Sequence, residues 1–324
     1  MTTLAPEAPA AIPDLPARPK HQRSFGDRIF RLLLVFCAST VLIIISGIVY
    51  YLISRSGEAW RYQGWHMLTS FKWAPRGLPP SFGFLGWLIG SVVIATVALV
   101  VALPISIATA LAINEYAPRR VRRALTALVD LLAALPSIVF GMWGLFVLDP
   151  HLLPTTQWMA KHLSFIPIFR TSGRNLGNSL FEAGLVVAIM IIPIITSISR
   201  EVMAQTPRDQ CEAALALGGT RWGMITDVIF PFSRSGIIGG AMLGLGRALG
   251  ETIAVSIILL SSDTFSSHIL EPGGRSISAV IVQEFQGSST REQSALVVAG
   301  LTLFLVTLAV NISARVVTSR AARI

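Results

Sequence analysis

Arg247 and Glu251 lie within an otherwise apolar run, GLGRALGETIAV, residues 244–255. A guanidinium stays charged at any working pH and presents planar donors that match the oxygens of phosphate or carboxylate. A carboxylate four residues on is spaced to pair with it along a helix, although Arg before Glu is the weaker order for such pairs. Ionisable groups inside a membrane span are by default parts of a site or pathway, and a structural ion pair with a neighbouring helix is the competing reading. As pathway residues, Arg247 would hold an anion, while Glu251 would position the empty guanidinium and keep binding weak enough for release. Ser137, beside Pro136 in LLAALPSIVFGMWGLFVL (131–148), is a further pathway candidate, and helix packing is the plainer role for its hydroxyl.

The element that must position these residues is a membrane helix. Of 324 residues, 53% are hydrophobic and only 13% charged, which is outside the range of ordinary soluble domains. A bilayer core of about 30 Å needs about 20 apolar residues in a helix. Six segments meet that length: 29–53, 87–113, 124–148, 180–199, 236–260 and 294–316. Pro104, Pro136 and Pro193 fall inside them and are expected to kink the helices without ending them. In the fifth segment Gly240 and Gly244, then Gly246 and Gly250, are each four apart. That spacing suits close helix packing. It fails the dinucleotide fingerprint, which also needs a preceding strand.

The net charge of +9 fits basic residues at cytoplasmic membrane edges better than a nucleic-acid surface, so lipid, not nucleic acid, is the expected surroundings. With the N-terminus inside, the inner connections and ends carry 16 Lys and Arg against 9 outside. The short connection EYAPRRVRRA alone carries four arginines. Both termini are therefore expected in the cytoplasm. Residues 1–28 lack an apolar stretch with a cleavage site and read as a disordered tail. Residues 29–83 read as the first span and an outer connection, 84–318 as the main transmembrane domain, and 319–324 as the cytoplasmic end. Trp60, Trp65, Trp73 and Trp158 lie in long outer connections. They are expected either as interfacial anchors or as part of a docking surface for an external partner. Cys37 and Cys211 are far apart, and the five histidines show no ligand spacing, so neither disulfide, metal nor cofactor is expected.

The connection after the fourth segment is patterned. Thr206 is spaced to cap a helix with Pro207 at its first position and Asp209 in the capping-box place. The helix is expected to run over about 207–218, with Gly218–Gly219 as a left-handed stop and Thr220 capping the next helical stretch. Glu212-Ala213-Ala214, Gly218 and the later Val228-Ile229-Phe230-Pro231 resemble the EAA loop of importer-type ABC permeases, with Val and Phe in place of the family's Ile and Leu. The resemblance implies an all-α integral membrane fold of six spans, the type I (MetI-like) importer permease fold. It also implies a cytoplasmic coupling helix whose Glu212, Ala213, Ala214 and Gly218 meet an ATPase subunit. The chain has no GxxxxGK[ST] phosphate loop of its own, so it is not expected to hydrolyse ATP.

LLAALPSIVFGMWGLFVL, AIMIIPIITSISREVM (188–203) and GLGRALGETIAVSIIL (244–259) narrow the resemblance to the phosphate-specific permeases, nearer the PstC branch than its sister PstA. What this implies is a phosphate importer of the bacterial inner membrane. The implied partners are a sister permease (PstA), two ATPase subunits (PstB) and an external phosphate-binding protein (PstS), with Arg247 and Glu251 on the phosphate path. The alternatives are a permease for sulfate or molybdate, and a proton-coupled secondary transporter. The latter would be expected to show repeats with interrupted helices in both halves.

Overall fold

The computed structural model describes residues 25–172, 176–259 and 268–321. The chain divides into two units, Met1–Tyr51 and Leu52–Ile324. The described part of the first is the apolar beginning of helix α1 (Phe25–Gln63). The expected tail lies outside the described residues up to residue 24, and residues 25–28 are already helical.

The second unit contains the end of α1, a short α2 (His66–Thr69) and a two-stranded antiparallel hairpin, β1 (Trp73–Ala74) with β2 (Ser81–Phe82). Helices α3 (Leu85–Leu111), α4 (Arg119–Ala134), α5 (Ser137–Trp143), α6 (Asp149–His162) and α7 (Leu180–Ala204) follow. Next come α8 (Arg208–Ala216), α9 (Arg221–Met224), α10 (Phe230–Gly250) and α11 (Ile253–Ile258). The last are α12 (Ile277–Glu284) and α13 (Thr290–Ala321). Among the described residues six helical stretches are long and apolar enough to cross a membrane: Phe25–Gln63, Leu85–Tyr116, Ser137–His162, Leu180–Ala204, Arg221–Gly250 and Thr290–Ala314.

α7 is the axis of the second unit, because it is the most deeply buried span. It starts cleanly: the Ser179 hydroxyl accepts from the Glu182 N–H at 3.3 Å, a side-chain cap on the first turn. α3 runs parallel to it, with the Ser106 hydroxyl donating to the Ile192 carbonyl at 3.2 Å and the Asn114 amide to the Arg200 carbonyl at 2.7 Å. α10 runs antiparallel. Gly240 leaves room for Ile198, and Gly244 for Ile195 and Ile191, so the first expected glycine pair forms a close packing face, whereas Gly250 of the second pair has nothing within 4 Å. At one end of the unit, the Ser294 hydroxyl accepts from the Ala59 N–H at 3.0 Å and donates to the Arg55 carbonyl at 2.8 Å, joining the end of α1 to α13. Trp73 packs there against Phe82 and Trp87, with ring centroids 5.4 and 4.5 Å away. It is thus part of the protein's own packing, whereas Trp65 and Trp158 are exposed.

Two expected spans are differently built. Residues 124–148 were expected as one helix, but the chain breaks at Leu135, whose ψ is 136°, just before Pro136. Proline lacks the N–H that would continue the ladder and drives its predecessor to extended backbone. The crossing is nevertheless continuous in depth. Thr126 meets Arg200, Asp130 meets Ser197, Gly144 lies against Val186, and Asp149 accepts from the Asn178 N–H. Residues 126–149 therefore descend the whole of α7, and α6 continues beyond its start. The fifth span was expected over 236–260. It begins at Arg221, passes through a π-helical turn at Ile225–Ile229, and ends at Gly250.

Candidate functional site

Arg247 sits in the last turn of α10 and is exposed. Gly244 one turn earlier is level with Ile195 and Ile191, which puts Arg247 near the level of Ile191. Ser137 begins α5, midway between Asp130, opposite Ser197, and Gly144, opposite Val186. It too lies within about one turn of Ile191. That level is close to the middle of α7, about 18 Å from each end. Both broken spans thus break at one depth, the middle of the helix bundle.

The breaks also face each other. Gly141 of α5 lies against Ala254 of α11, where an added Cβ would come within 2.8 Å of the Ala254 Cα. Gly144 lies against Ile258. Contacts at 141 with 254 and 144 with 258 mean that the two short helices run the same way. Their first residues, Ser137 and Ile253, therefore stand at the same end. Ser137 is half-buried there.

The expected helical pairing of Arg247 with Glu251 does not form. α10 ends at Gly250, and Glu251 has ψ 128°, so the i,i+4 geometry is lost. No ion pair joins these residues among the described ones. Glu251 is instead buried on the α11 side. Its carboxylate accepts from the Ala254 N–H at 3.4 Å, and its carbonyl oxygen accepts from the Ser278 hydroxyl at 2.7 Å. Its local work is to cap α11 and tie the break to α12. Arg247 faces a cavity of about 330 Å³ with Ile194, Met242, Leu243, Gly246 and Asn311. Glu251 and Ser137 do not line it. Asn311, near the end of the last crossing stretch, Thr290–Ala314, is not among the residues expected from the sequence, although a lone amide in an apolar span is a signal of the same kind as Arg247.

The second group of expected residues is on α8, at the end of the unit where α7 finishes and α10 begins. The sequence expectation holds closely at the far end of this helix. Gly218 has φ +85°, its N–H donates to the Leu215 carbonyl at 3.0 Å, and the Gly219 N–H reaches the Ala214 carbonyl at 3.1 Å. These two bonds are the Schellman ending. Thr220 then caps α9 by accepting from the Gly223 N–H at 3.1 Å. The near end differs: Pro207, not Thr206, holds the cap position, and the buried Thr206 hydroxyl has no hydrogen-bond partner among the described residues. Glu212 and Ala213 are exposed. Cys211 and Ala214 pack on the other side against a cluster that includes Met203, Met224 and Ile225. Burial, with Glu115 and Glu212 nearby, pushes the Cys211 thiol above its ordinary range.

No group of three or more His, Cys, Asp or Glu side chains able to hold a metal occurs among the described residues. Residues 102–323 match the family of binding-protein-dependent transport system inner membrane components. The chain is 38% identical over 315 residues to phosphate transport system permease protein PstC 2 of Mycobacterium tuberculosis, covering 95% of this chain and 97% of that one. It is 38% identical over 301 residues to phosphate transport system permease protein PstC of Xylella fastidiosa, covering 92% of each. A chain of the bacterial alginate ABC transporter in complex with alginate pentasaccharide-bound periplasmic protein shares its fold. There the TM-score is 0.62, with 18% identity over 92% of this chain and 98% of that one. The six-span all-α permease fold inferred from the EAA-like loop is therefore present, and the chain belongs to the family of binding-protein-dependent transport system inner membrane components, among its PstC members.

Proposed function

We propose that this chain forms, with a sister permease (PstA), the path by which inorganic phosphate crosses the bacterial inner membrane. Two copies of an ATPase (PstB) drive the step, and an external phosphate-binding protein (PstS) delivers the anion. As a permease subunit the chain is not itself an enzyme; ATP hydrolysis belongs to the separate subunit. The names of its relatives favour phosphate over sulfate or molybdate, and membership of a binding-protein-dependent family leaves a proton-coupled secondary transporter without support. The arginine-rich connection 115–123 is proposed to lie in the cytoplasm with both termini.

The observation that carries this reading is Arg247: a permanent cation at mid-bundle depth, open to a cavity and held by no carboxylate among the described residues. Its donors match phosphate oxygens. Ser137 and Glu251 stand at the helix breaks of the same depth, Ser137 with a hydroxyl for the path and Glu251 holding the break in shape. The second support is mechanical. Glu212, Ala213 and Ala214 on α8 and Gly218 in the turn that ends it form the proposed contact with the ATPase. The capped turn after α8 leads into one helical stretch, Arg221–Gly250, about 45 Å long. Movement of α8 is thereby transmitted along α10 to Arg247.

The test is Arg247→Gln in the complete transporter reconstituted in vesicles. Phosphate import should be abolished, while the sister permease and ATPase still co-purify. A variant that fails to assemble, but imports normally in whatever complex does form, would make Arg247 a structural residue and sink the proposal.

A further inference from the structure

Asn311 of α13 shares the Arg247 cavity, and its surroundings set it apart from the hydroxyl residues on either side of it. The cavity's remaining lining, Ile194, Met242, Leu243 and Gly246, offers no hydrogen-bonding side chain. The hydroxyls that flank Asn311 along α13 are satisfied within their own helix: Thr302 donates to the Val298 carbonyl, Thr307 to Leu303 and Ser313 to Ala309, each at 2.8 Å. Asn311 is half-buried and forms no hydrogen bond with the described residues. An amide has two donors and two acceptor sites, and leaving them unused in an apolar span is costly. The amide lies against Gly246, the neighbour of Arg247. A Cβ there would stand 3.9 Å from Asn311 Nδ2 and 4.0 Å from Oδ1, so any longer side chain would fill the gap between the amide and α10.

We propose that Asn311 contacts the transported phosphate, its Nδ2–H donating to a phosphate oxygen beside Arg247 and its Oδ1 accepting a hydrogen bond from a P–OH group. The inference rests on the reading of Arg247 as a pathway residue. The two side chains divide the recognition. Arg247 only donates, whereas the amide both donates and accepts. A protonated phosphate uses both functions of the amide, whereas sulfate, which carries no proton at neutral pH, uses only the donor. Because Arg247 is on α10 and Asn311 on α13, the anion is gripped between two helices.

The experiment measures phosphate import and ATP hydrolysis by the complete transporter in vesicles loaded with ATP, using phosphate-charged binding protein outside. Asn311→Leu should lower import about ten- to hundredfold, the effect of removing one hydrogen bond to a charged group. Co-purification of the ATPase and binding-protein-stimulated ATP hydrolysis should persist. Asn311→Gln, which keeps an amide, should retain more import than Leu. Asn311→Asp, equal in size but acceptor-only and anionic beside Arg247, should be at least as impaired as Leu. Wild-type import by Asn311→Leu would overturn the assignment, as would import by Asn311→Asp close to wild type. Should the Leu variant fail to assemble, the Asp variant decides in the same way. Arg247→Gln in parallel separates the two levels. Lost import there with normal Asn311→Leu removes only Asn311, whereas normal import in both removes the pathway reading itself.

Discussion

Replacing Gly141 by alanine asks whether the two broken helices must touch for transport. A Cβ at residue 141 would lie 2.8 Å from the Ala254 Cα, 3.2 Å from the Ala254 carbonyl oxygen and 3.1 Å from the Ile257 Cδ1. Carbon atoms pack best at about 3.5–4.0 Å, so α5 and α11 would have to separate by about 1 Å. Ile257 can turn its terminal methyl aside. The Ala254 atoms are backbone and move only with the helix. Overpacking of this sort costs about 1–3 kcal/mol, equivalent to about 5- to 150-fold in the population of the aligned arrangement. Gly141→Ala should therefore reduce phosphate import roughly tenfold in reconstituted vesicles, with the ATPase still bound. Gly57→Ala, where nothing lies within 4 Å, is the control and should import normally. Adding Ala254→Gly should not restore the Gly141 variant, because the obstructing atoms remain. Normal import by Gly141→Ala, or recovery in the double variant, would refute this account of the breaks.

Two predictions concern the α8 end. Gly218 has φ +85° with no atom near its missing Cβ, so alanine there meets only backbone strain of about 1–2 kcal/mol, while asparagine tolerates the conformation. Gly218→Ala should weaken ATPase docking, measured as retained ATPase per permease after washing, and Gly218→Asn should retain most of it; equal behaviour would show that the left-handed turn does not matter. The raised Cys211 pKa keeps the thiol protonated to higher pH. With Cys37 replaced by serine, alkylation followed by mass spectrometry should reach half its limiting rate above the ordinary thiol midpoint of about 8.5. Glu212→Gln removes one of the like charges and should bring that midpoint down slightly, burial being the larger cause; an unshifted midpoint would rule out the Glu212 contribution.

What could be read from the sequence divides by range of interaction. The ending of α8 and the cap of α9 were legible because Gly218, Gly219 and Thr220 act through bonds spanning only a few residues. The third crossing is expected as one helix over 124–148, since membrane helices usually absorb a proline, whereas the crossing stretch in the structure is Ser137–His162. What makes Leu135–Pro136 a true break is the partner waiting across it, α11 against Gly141. That partner is more than 100 residues away in the chain. The end of α10 is a similar case: Glu251 leaves the helix to bond with Ala254 and Ser278, and nothing in the local GETI pattern announces the second of these. Thr206 was misjudged for a local reason. Pro207 takes the cap place itself, and the threonine is drawn into the protein. Asn311 is not legible in the sequence because its meaning comes from the cavity it shares with Arg247, a meeting of two different spans.

The loss of the Arg247–Glu251 pair strengthens the functional reading of the arginine. An arginine at the centre of a membrane helix costs about 2.5–3.5 kcal/mol on insertion scales. A helical ion pair would have offset only about 0.2–0.5 kcal/mol, and even that is absent. What the fold does supply is position: Arg247 occupies the last turn of α10, where a cation meets the negative end of the helix dipole. That contributes about 0.3–1 kcal/mol at exposed sites and at most about 2 in partly buried ones. Even at the favourable limit, about 0.5–1.5 kcal/mol is left over, and at the usual one about 1.5–3. Helix stability therefore does not account for the residue. A cavity that admits water and a passing anion does, because the charge is then solvated from the open side, and the same dipole that steadies the guanidinium tempers its hold on phosphate enough for release.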